Sequence, residues 1–121
     1  MKRILVVEDD VALSRIYEKK LTDLGYRVRL AMDGKAALQA LCEDIPNLVL
    51  LDIMLPGGQN GFDILRQIRE NEEWKNIPVL VLTNLDTEEQ TATSYGVVDY
   101  LVKTNISIDD VMSKVKKIVG E

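Results

Sequence analysis

The feature that most constrains this fold is the regular alternation of short apolar runs with segments of helical periodicity. Three runs are almost wholly apolar, at 4–7, 48–51 and 78–82, as expected of strands buried on both faces. Two further strands are predicted at 26–31 and 97–102. Each run is followed by a segment whose apolar residues recur every three or four positions, the pattern of a helix packed on a core.

Five strand–helix units in succession indicate the α/β class. Connections of this kind favour a doubly wound, five-stranded parallel sheet with five helices on both faces. The strand order 2-1-3-4-5 is expected by analogy with flavodoxin-like folds, since the sequence itself provides only the alternation. In such sheets ligands bind outside the carboxyl ends of the strands.

Length and composition limit the possible functions. The 121 residues suit one domain, 1–121, without a linker or repeat, and the formal net charge of −5 disfavours direct nucleic-acid binding. The chain has no histidine and a single cysteine, which excludes a Ser-His-Asp triad, histidine-ligated zinc and an intrachain disulfide. No apolar segment is long enough for a signal peptide or membrane span, so a cytoplasmic location is expected.

Polar residues follow four of the predicted strands. The first strand runs into Glu8, Asp9 and Asp10, the third into Asp52, and the fifth into Lys103. The fourth ends at Thr83 and Asn84. Parallel strands would bring these ends to one edge, where clustered carboxylates favour a hard divalent cation such as Mg²⁺. A carboxylate can also act as a nucleophile in phosphoryl transfer.

These strand ends resemble the signature motifs of the response regulator receiver family, including its single-domain chemotaxis-type members. The similarity extends over essentially the whole chain and lies in four segments: Ile4-Leu5-Val6-Val7-Glu8-Asp9-Asp10, Leu50-Leu51-Asp52-Ile53-Met54-Leu55-Pro56, Val81-Leu82-Thr83 and Tyr100-Leu101-Val102-Lys103. The resemblance implies that Asp52 accepts a phosphoryl group. It also implies that Asp9, Asp52 and the main-chain carbonyl of Met54 bind Mg²⁺, with Glu8 beside them.

The same resemblance assigns roles to three further residues. Lys103 pairs with Asp52 or with the phosphoryl group, and Thr83 reaches the phosphoryl oxygen. Tyr100 is the switch aromatic that turns inward as Thr83 moves. The implied phosphoryl donor is a sensor histidine kinase or a phosphotransfer protein. Asp10, one position beyond the acidic pair, is interpreted as a helix N-cap.

Three positions depart from the family pattern. Thr104 stands where the family usually has a proline after its lysine, and we expect a trans Lys103–Thr104 bond because a cis bond without proline costs about 3–4 kcal/mol. The loop 57–61 is expected to be one residue longer than usual. Asn84 replaces a small residue and either crowds the phosphoryl entry path or donates a hydrogen bond there.

Two more features concern the lifetime and output of the signal. Met54 and Leu85 occupy positions that influence attack by water, and neither can orient a water molecule, so a long-lived acyl phosphate is expected. The predicted helix at 87–95 has poor helix propensity and few apolar residues. We therefore expect an output domain or target protein to bind the face formed by 87–95, 97–102 and 107–119.

Three alternative functions fit parts of this sequence less well. A pseudo-receiver, which interacts without phosphorylation, is favoured by the departures but opposed by the intact acidic, Thr83 and Lys103 positions. A Mg²⁺-dependent phosphohydrolase with an aspartate nucleophile usually has a second aspartate where Met54 stands. A flavin binder needs a phosphate loop after the first strand, where Glu8 and its neighbours have the wrong charge. Both a single-domain regulator and the receiver part of a longer protein fit the sequence.

Overall fold

The computed structural model describes residues 1–56 and 60–120. Its strands are β1 (Arg3–Val7), β2 (Arg27–Ala31), β3 (Leu48–Leu51), β4 (Val79–Thr83) and β5 (Asp99–Val102). All neighbouring strands are parallel, and their order across the sheet is β2-β1-β3-β4-β5. The predicted class and strand order are therefore confirmed.

Helices cover both faces of this sheet, as predicted. They are α1 (Val11–Asp23), α2 (Gly34–Glu43), α3 (Gly61–Glu70), α4 (Glu89–Ser94) and α5 (Ile108–Val119), and a short 3₁₀ helix spans Lys103–Asn105. Within residues 1–56 and 60–120, no helix combines the length and the apolar character required to cross a membrane.

Successive strand residues alternate between two cores, because side chains of a strand point to opposite faces. In β1, Leu5 and Val7 join the core under α2, α3 and α4, whereas Ile4 and Val6 join the core under α1 and α5. All residues of β3 and β4 are buried. Burying a large aliphatic side chain stabilises a fold by about 1.5–3 kcal/mol, so these central strands form a firm base for the residues that follow them.

Side-chain caps determine where most helices begin. Asp10 accepts from the main-chain N–H of Leu13, which confirms its predicted role as an N-cap, and Asp33 accepts from that of Ala36. The helix α2 ends at Glu43, and Ile45 beyond it is exposed. The predicted helix 87–95 is shorter in the structure, at Glu89–Ser94, and the 3₁₀ helix was not predicted.

Candidate functional site

The strand ends bring a group of charged side chains to one edge of the sheet. Val7 at the end of β1 pairs with Leu51 at the end of β3, so the residues that follow them, Glu8 and Asp52, are neighbours. The main-chain N–H of Asp52 donates to the carbonyl of Val7 at 3.0 Å. Lys103 follows β5 and reaches the same edge. The convergence expected from a parallel sheet is thus present.

Lys103 joins the two buried carboxylates. Its Nζ donates to Glu8 Oε1 at 2.5 Å and to Asp52 Oδ2 at 2.8 Å, and these carboxylates are 3% and 5% exposed. Burial raises the pKa of Glu8, and the hydrogen bonds from Lys103 and Asp10 offset that rise in part. Burial by itself would lower the pKa of Lys103, but the hydrogen bonds to Asp52 and Glu8 raise it above its ordinary value. The lysine is therefore a cation held between two carboxylates.

Asp9 completes an acidic cluster with Glu8 and Asp52. One carboxylate oxygen from each residue lies within 4.8 Å of the others, and Asp9 is exposed whereas its neighbours are buried. Both Glu8 oxygens are already used, by Lys103 and by the main-chain N–H of Asp10. Within the described residues, the Asp9 carboxylate has no hydrogen-bond partner. It is thus the carboxylate of this cluster most available to an incoming cation.

The donor chemistry of this cluster fits Mg²⁺. The site contains three carboxylates and one ammonium, which leaves two negative charges in excess when all are ionised. Repulsion among them falls when a divalent cation binds, and Mg²⁺ prefers oxygen ligands from one or two carboxylates. Met54 is adjacent, because its main-chain N–H donates to Asp52 Oδ1 at 2.9 Å. This bond and the one from Lys103 fix the orientation of the Asp52 carboxylate through both oxygens.

Thr83 and Tyr100 contact the same intervening residue. The Thr83 side chain is fully buried, and its Oγ1 accepts from the main-chain N–H of Leu85 at 3.3 Å. The buried Tyr100 hydroxyl donates to the carbonyl of Leu85. Burial raises the pKa of Tyr100, so this hydroxyl keeps its proton at neutral pH. The main chain of Leu85 thus connects the threonine of β4 to the aromatic ring of β5.

An open cleft of about 760 Å³ lies beside the acidic cluster. Asp9 and Met54 line the side near Asp52, and Leu85 and Glu88 line the side near α4. The remaining lining residues are Ile53, Leu55, Pro56, Asn60, Phe62 and Thr91. Its walls are mainly apolar. The cleft therefore extends from the acidic cluster at Asp9 to the residues around the start of α4.

Two residues near Asp52 were not identified from the sequence as part of the site. Gly61, the first residue of α3, approaches the main chain so closely that a Cβ there would lie 2.4 Å from Ile53 Cα and 2.5 Å from the Asp52 carbonyl oxygen. Tyr17 of α1 lies beside Glu8 and Asp52, and burial raises its pKa to about 12. Gly61 directly follows the Asn60 N-cap. No sequence pattern, however, would have placed Gly61 or Tyr17 near Asp52.

The three departures from the family pattern have different outcomes. The described residues include no cis peptide bond, which confirms the trans Lys103–Thr104 bond. Lys103 still reaches Asp52 because the chain turns directly into the 3₁₀ helix Lys103–Asn105. Asn84 is exposed. The predicted extra residue of the loop 57–61 cannot be located, since 57–59 lie outside the described residues.

Comparison with known proteins gives a consistent result. The response regulator receiver domain model matches residues 4–116. Response regulator PleD of Caulobacter vibrioides is 41% identical over 112 residues, which cover 91% of this chain and 24% of PleD. Response regulator ArlR of Staphylococcus saprophyticus is 36% identical over 118 residues, which cover 96% of this chain and 51% of ArlR. This chain therefore spans about a quarter of the length of PleD and about half of that of ArlR.

The fold also matches solved structures over nearly its whole length. The response regulator TrrA of Thermotoga maritima, in complex with Mg²⁺ and BeF, has a TM-score of 0.85 and is 30% identical. The match covers 98% of this chain and 99% of that one.

Proposed function

Because the chain belongs to the response regulator receiver family, we propose that it accepts a phosphoryl group on Asp52 and signals through the segment between Thr83 and Lys103. The observation that carries this proposal is the position of Asp52, buried after β3 and oriented by Lys103 and the main-chain N–H of Met54. A carboxylate fixed in this way is a suitable nucleophile for phosphorus.

In the proposed reaction an oxygen of Asp52 forms a bond to the phosphorus of a phosphohistidine. The N–P bond of the donor breaks, its electron pair remains on the imidazole nitrogen, and Asp52 becomes an acyl phosphate. Lys103 lies 2.8 Å from Asp52 and would offset charge on the phosphoryl oxygens. The Thr83 hydroxyl oxygen now accepts from the Leu85 N–H, and the hydroxyl would turn to donate its own proton to a phosphoryl oxygen.

The proposed cofactor is Mg²⁺. Asp9, Asp52 and the main-chain carbonyl of Met54 would hold it, with Glu8 beside them and already paired with Lys103. When bound, the cation would neutralise charge on the transferring oxygens. The Mg²⁺–BeF complex of TrrA supports this assignment, since that protein is 30% identical over 98% of this chain.

The proposed phosphoryl donor is a sensor histidine kinase or a phosphotransfer protein. The proposed output surface consists of α4, β5 and α5, where an output domain or a target protein would bind. The greater length of PleD and ArlR is compatible with attached output domains. Direct nucleic-acid binding by this acidic chain is not part of the proposal.

The test is phosphorylation by acetyl phosphate, followed by intact mass, with and without Mg²⁺. We expect one added phosphoryl group that requires both Mg²⁺ and Asp52. Asp52→Asn should abolish the adduct, whereas Asp33→Asn, which changes the N-cap of α2, should retain it. A folded protein that forms no adduct would favour the pseudo-receiver. An adduct that persists in Asp52→Asn would show that another residue is the acceptor.

A further inference from the structure

Arg69, in the last turn of α3, donates to four main-chain carbonyls in two other parts of the chain. Its Nη1 donates to Lys75 at 3.0 Å and to Ile77 at 2.9 Å, just before β4. Its Nε donates to Tyr95 at 2.6 Å and its Nη2 to Gly96 at 3.2 Å, in the turn that ends α4. One side chain therefore joins α3 to the segments that enter β4 and β5. We call these five residues the Arg69 clamp.

The chemistry of the clamp requires a guanidinium. Its N–H groups diverge in one plane and bond several acceptors at once, whereas a lysine ammonium acts as a point charge. The last carbonyls of a helix lack partners within it, and a cation there also interacts favourably with the helix dipole. Arg69 supplies the end of α4 with hydrogen-bond donors for its carbonyls and with a positive charge. Its side chain is half-buried, which strengthens these bonds relative to exposed ones.

The other end of α4 is held differently. Its first turn has no side-chain cap, and Ala92 is the buried residue of the helix. The preceding loop is tied to the sheet through Leu85, whose main chain bonds Thr83 and Tyr100. These ties are the ones that phosphorylation of Asp52 would rearrange. The two ends of α4 therefore differ, with switch contacts before it and a static cationic clamp after it.

We propose that the Arg69 clamp is the fixed end of the switch. The loop 84–88 and the start of α4 move, while the turn at Tyr95 and Gly96 stays against α3. Arg69 is then a positioning residue that confines the movement to the cleft side of α4. The fixed-end role rests on the proposed function, because phosphorylation is what moves the loop, whereas the anchoring itself belongs to the unphosphorylated chain.

Amide hydrogen exchange tests the anchoring directly. The N–H groups of Tyr95, Gly96 and Val98 bond to Ala92, Thr93 and Val79 at 3.0, 2.9 and 2.8 Å. In Arg69→Met we expect these three amides to exchange about tenfold faster or more, the scale of one lost bond to a charged group. Arg69→Lys should recover only part of the protection. Arg66→Met is the matched control, since Arg66 lies on the same helix and its ion pairs with described residues, Asp63 and Glu70, are exposed.

Beryllofluoride with Mg²⁺ tests the fixed-end role. Among residues 84–98, we expect its effect on exchange in the wild type to be confined to 84–91, and in Arg69→Met to extend through 92–98. The proposal would be overturned if amide exchange in Arg69→Met became faster in all strands alike, or if exchange at Tyr95 and Gly96 did not change. If Arg69→Met does not fold, the same comparison is made with Arg69→Lys. A wild type that does not respond to beryllofluoride would overturn the proposed phosphorylation and with it the fixed-end role. If the wild type responds to beryllofluoride and Arg69→Met shows the same pattern of exchange, the role of the Arg69 clamp is overturned but the proposed phosphorylation is not.

Discussion

Replacing Gly61 with alanine would place a methyl group against the main chain that carries Asp52. The added carbon would lie 2.4 Å from Ile53 Cα, and because ordinary carbon–carbon contacts are about 3.5–4.0 Å, α3 would have to retreat by about 1 Å. The Gly61 N–H bond to the Ile53 carbonyl, now 2.8 Å, would then be lost. Overpacking costs about 1–3 kcal/mol and a hydrogen bond about 1 kcal/mol, while alanine restores about 0.5–1 kcal/mol of helix propensity.

The expected net loss is about 1–3 kcal/mol of unfolding free energy for Gly61→Ala, or a fall in Tm of about 4–12 °C. Urea unfolding measures the first and calorimetry the second. Gly25→Ala is the control, because a Cβ there meets no atom within 4 Å and its cost comes only from a φ of +95°. Both variants should be less stable, but only Gly61→Ala should slow phosphorylation of Asp52. A Gly61→Ala protein as stable as the wild type would refute the close approach.

Three further predictions concern the switch, the signal lifetime and the acid response. Tyr100→Phe removes the hydroxyl that donates to Leu85 and should cost about 1 kcal/mol in urea unfolding, with the extent of phosphorylation unchanged in intact mass. Met54→Glu or Leu85→Asn should speed loss of the phosphoryl group about tenfold, a barrier change near 1.4 kcal/mol; unchanged decay in timed mass spectra would contradict this. Burial would raise the pKa of Asp99, but the bonds from Lys114 and the main chain of Tyr100 lower it. The ionised Asp99 carboxylate therefore stabilises the fold by at most about 1 kcal/mol after solvent screening. This contribution is present at pH 7 and is lost as the pH falls below about 4. The Tm values of the wild type and of Asp99→Asn should therefore converge in acid.

The sheet was predictable because strands buried on both faces need uninterrupted apolar runs. The run 48–51 matches β3, and 78–82 overlaps β4 with each end displaced by one residue. The helix near 87–95 was the least well predicted, because Glu89–Ser94 buries only Ala92. A helix with so little packing has no apolar periodicity to define its ends, so its limits depend on neighbouring contacts.

The charged edge was predictable for a different reason. In a parallel sheet the residue after each strand lies at the same edge, so Glu8, Asp52 and Lys103 were expected at one edge. The strand order, which was expected by analogy with flavodoxin-like folds, decides which of them are neighbours. The 3₁₀ helix after Lys103 was not predictable in this way, because the resemblance supplies a proline at 104 that this chain lacks.

The path from the acidic edge to α4 runs through main-chain atoms, which have no sequence signature. Leu85 joins Thr83 to Tyr100 by its N–H and carbonyl, and Arg69 holds the far end of α4 by carbonyls. Such bonds survive when the side chains of the loop 84–88 change, provided the loop keeps its course. The exposed side chains there can therefore vary to suit a partner without breaking the connection to Asp52. Sequence reasoning consequently reaches the chemistry of the site, where side-chain identity decides, but not the direction of the proposed movement, which would depend on main-chain geometry.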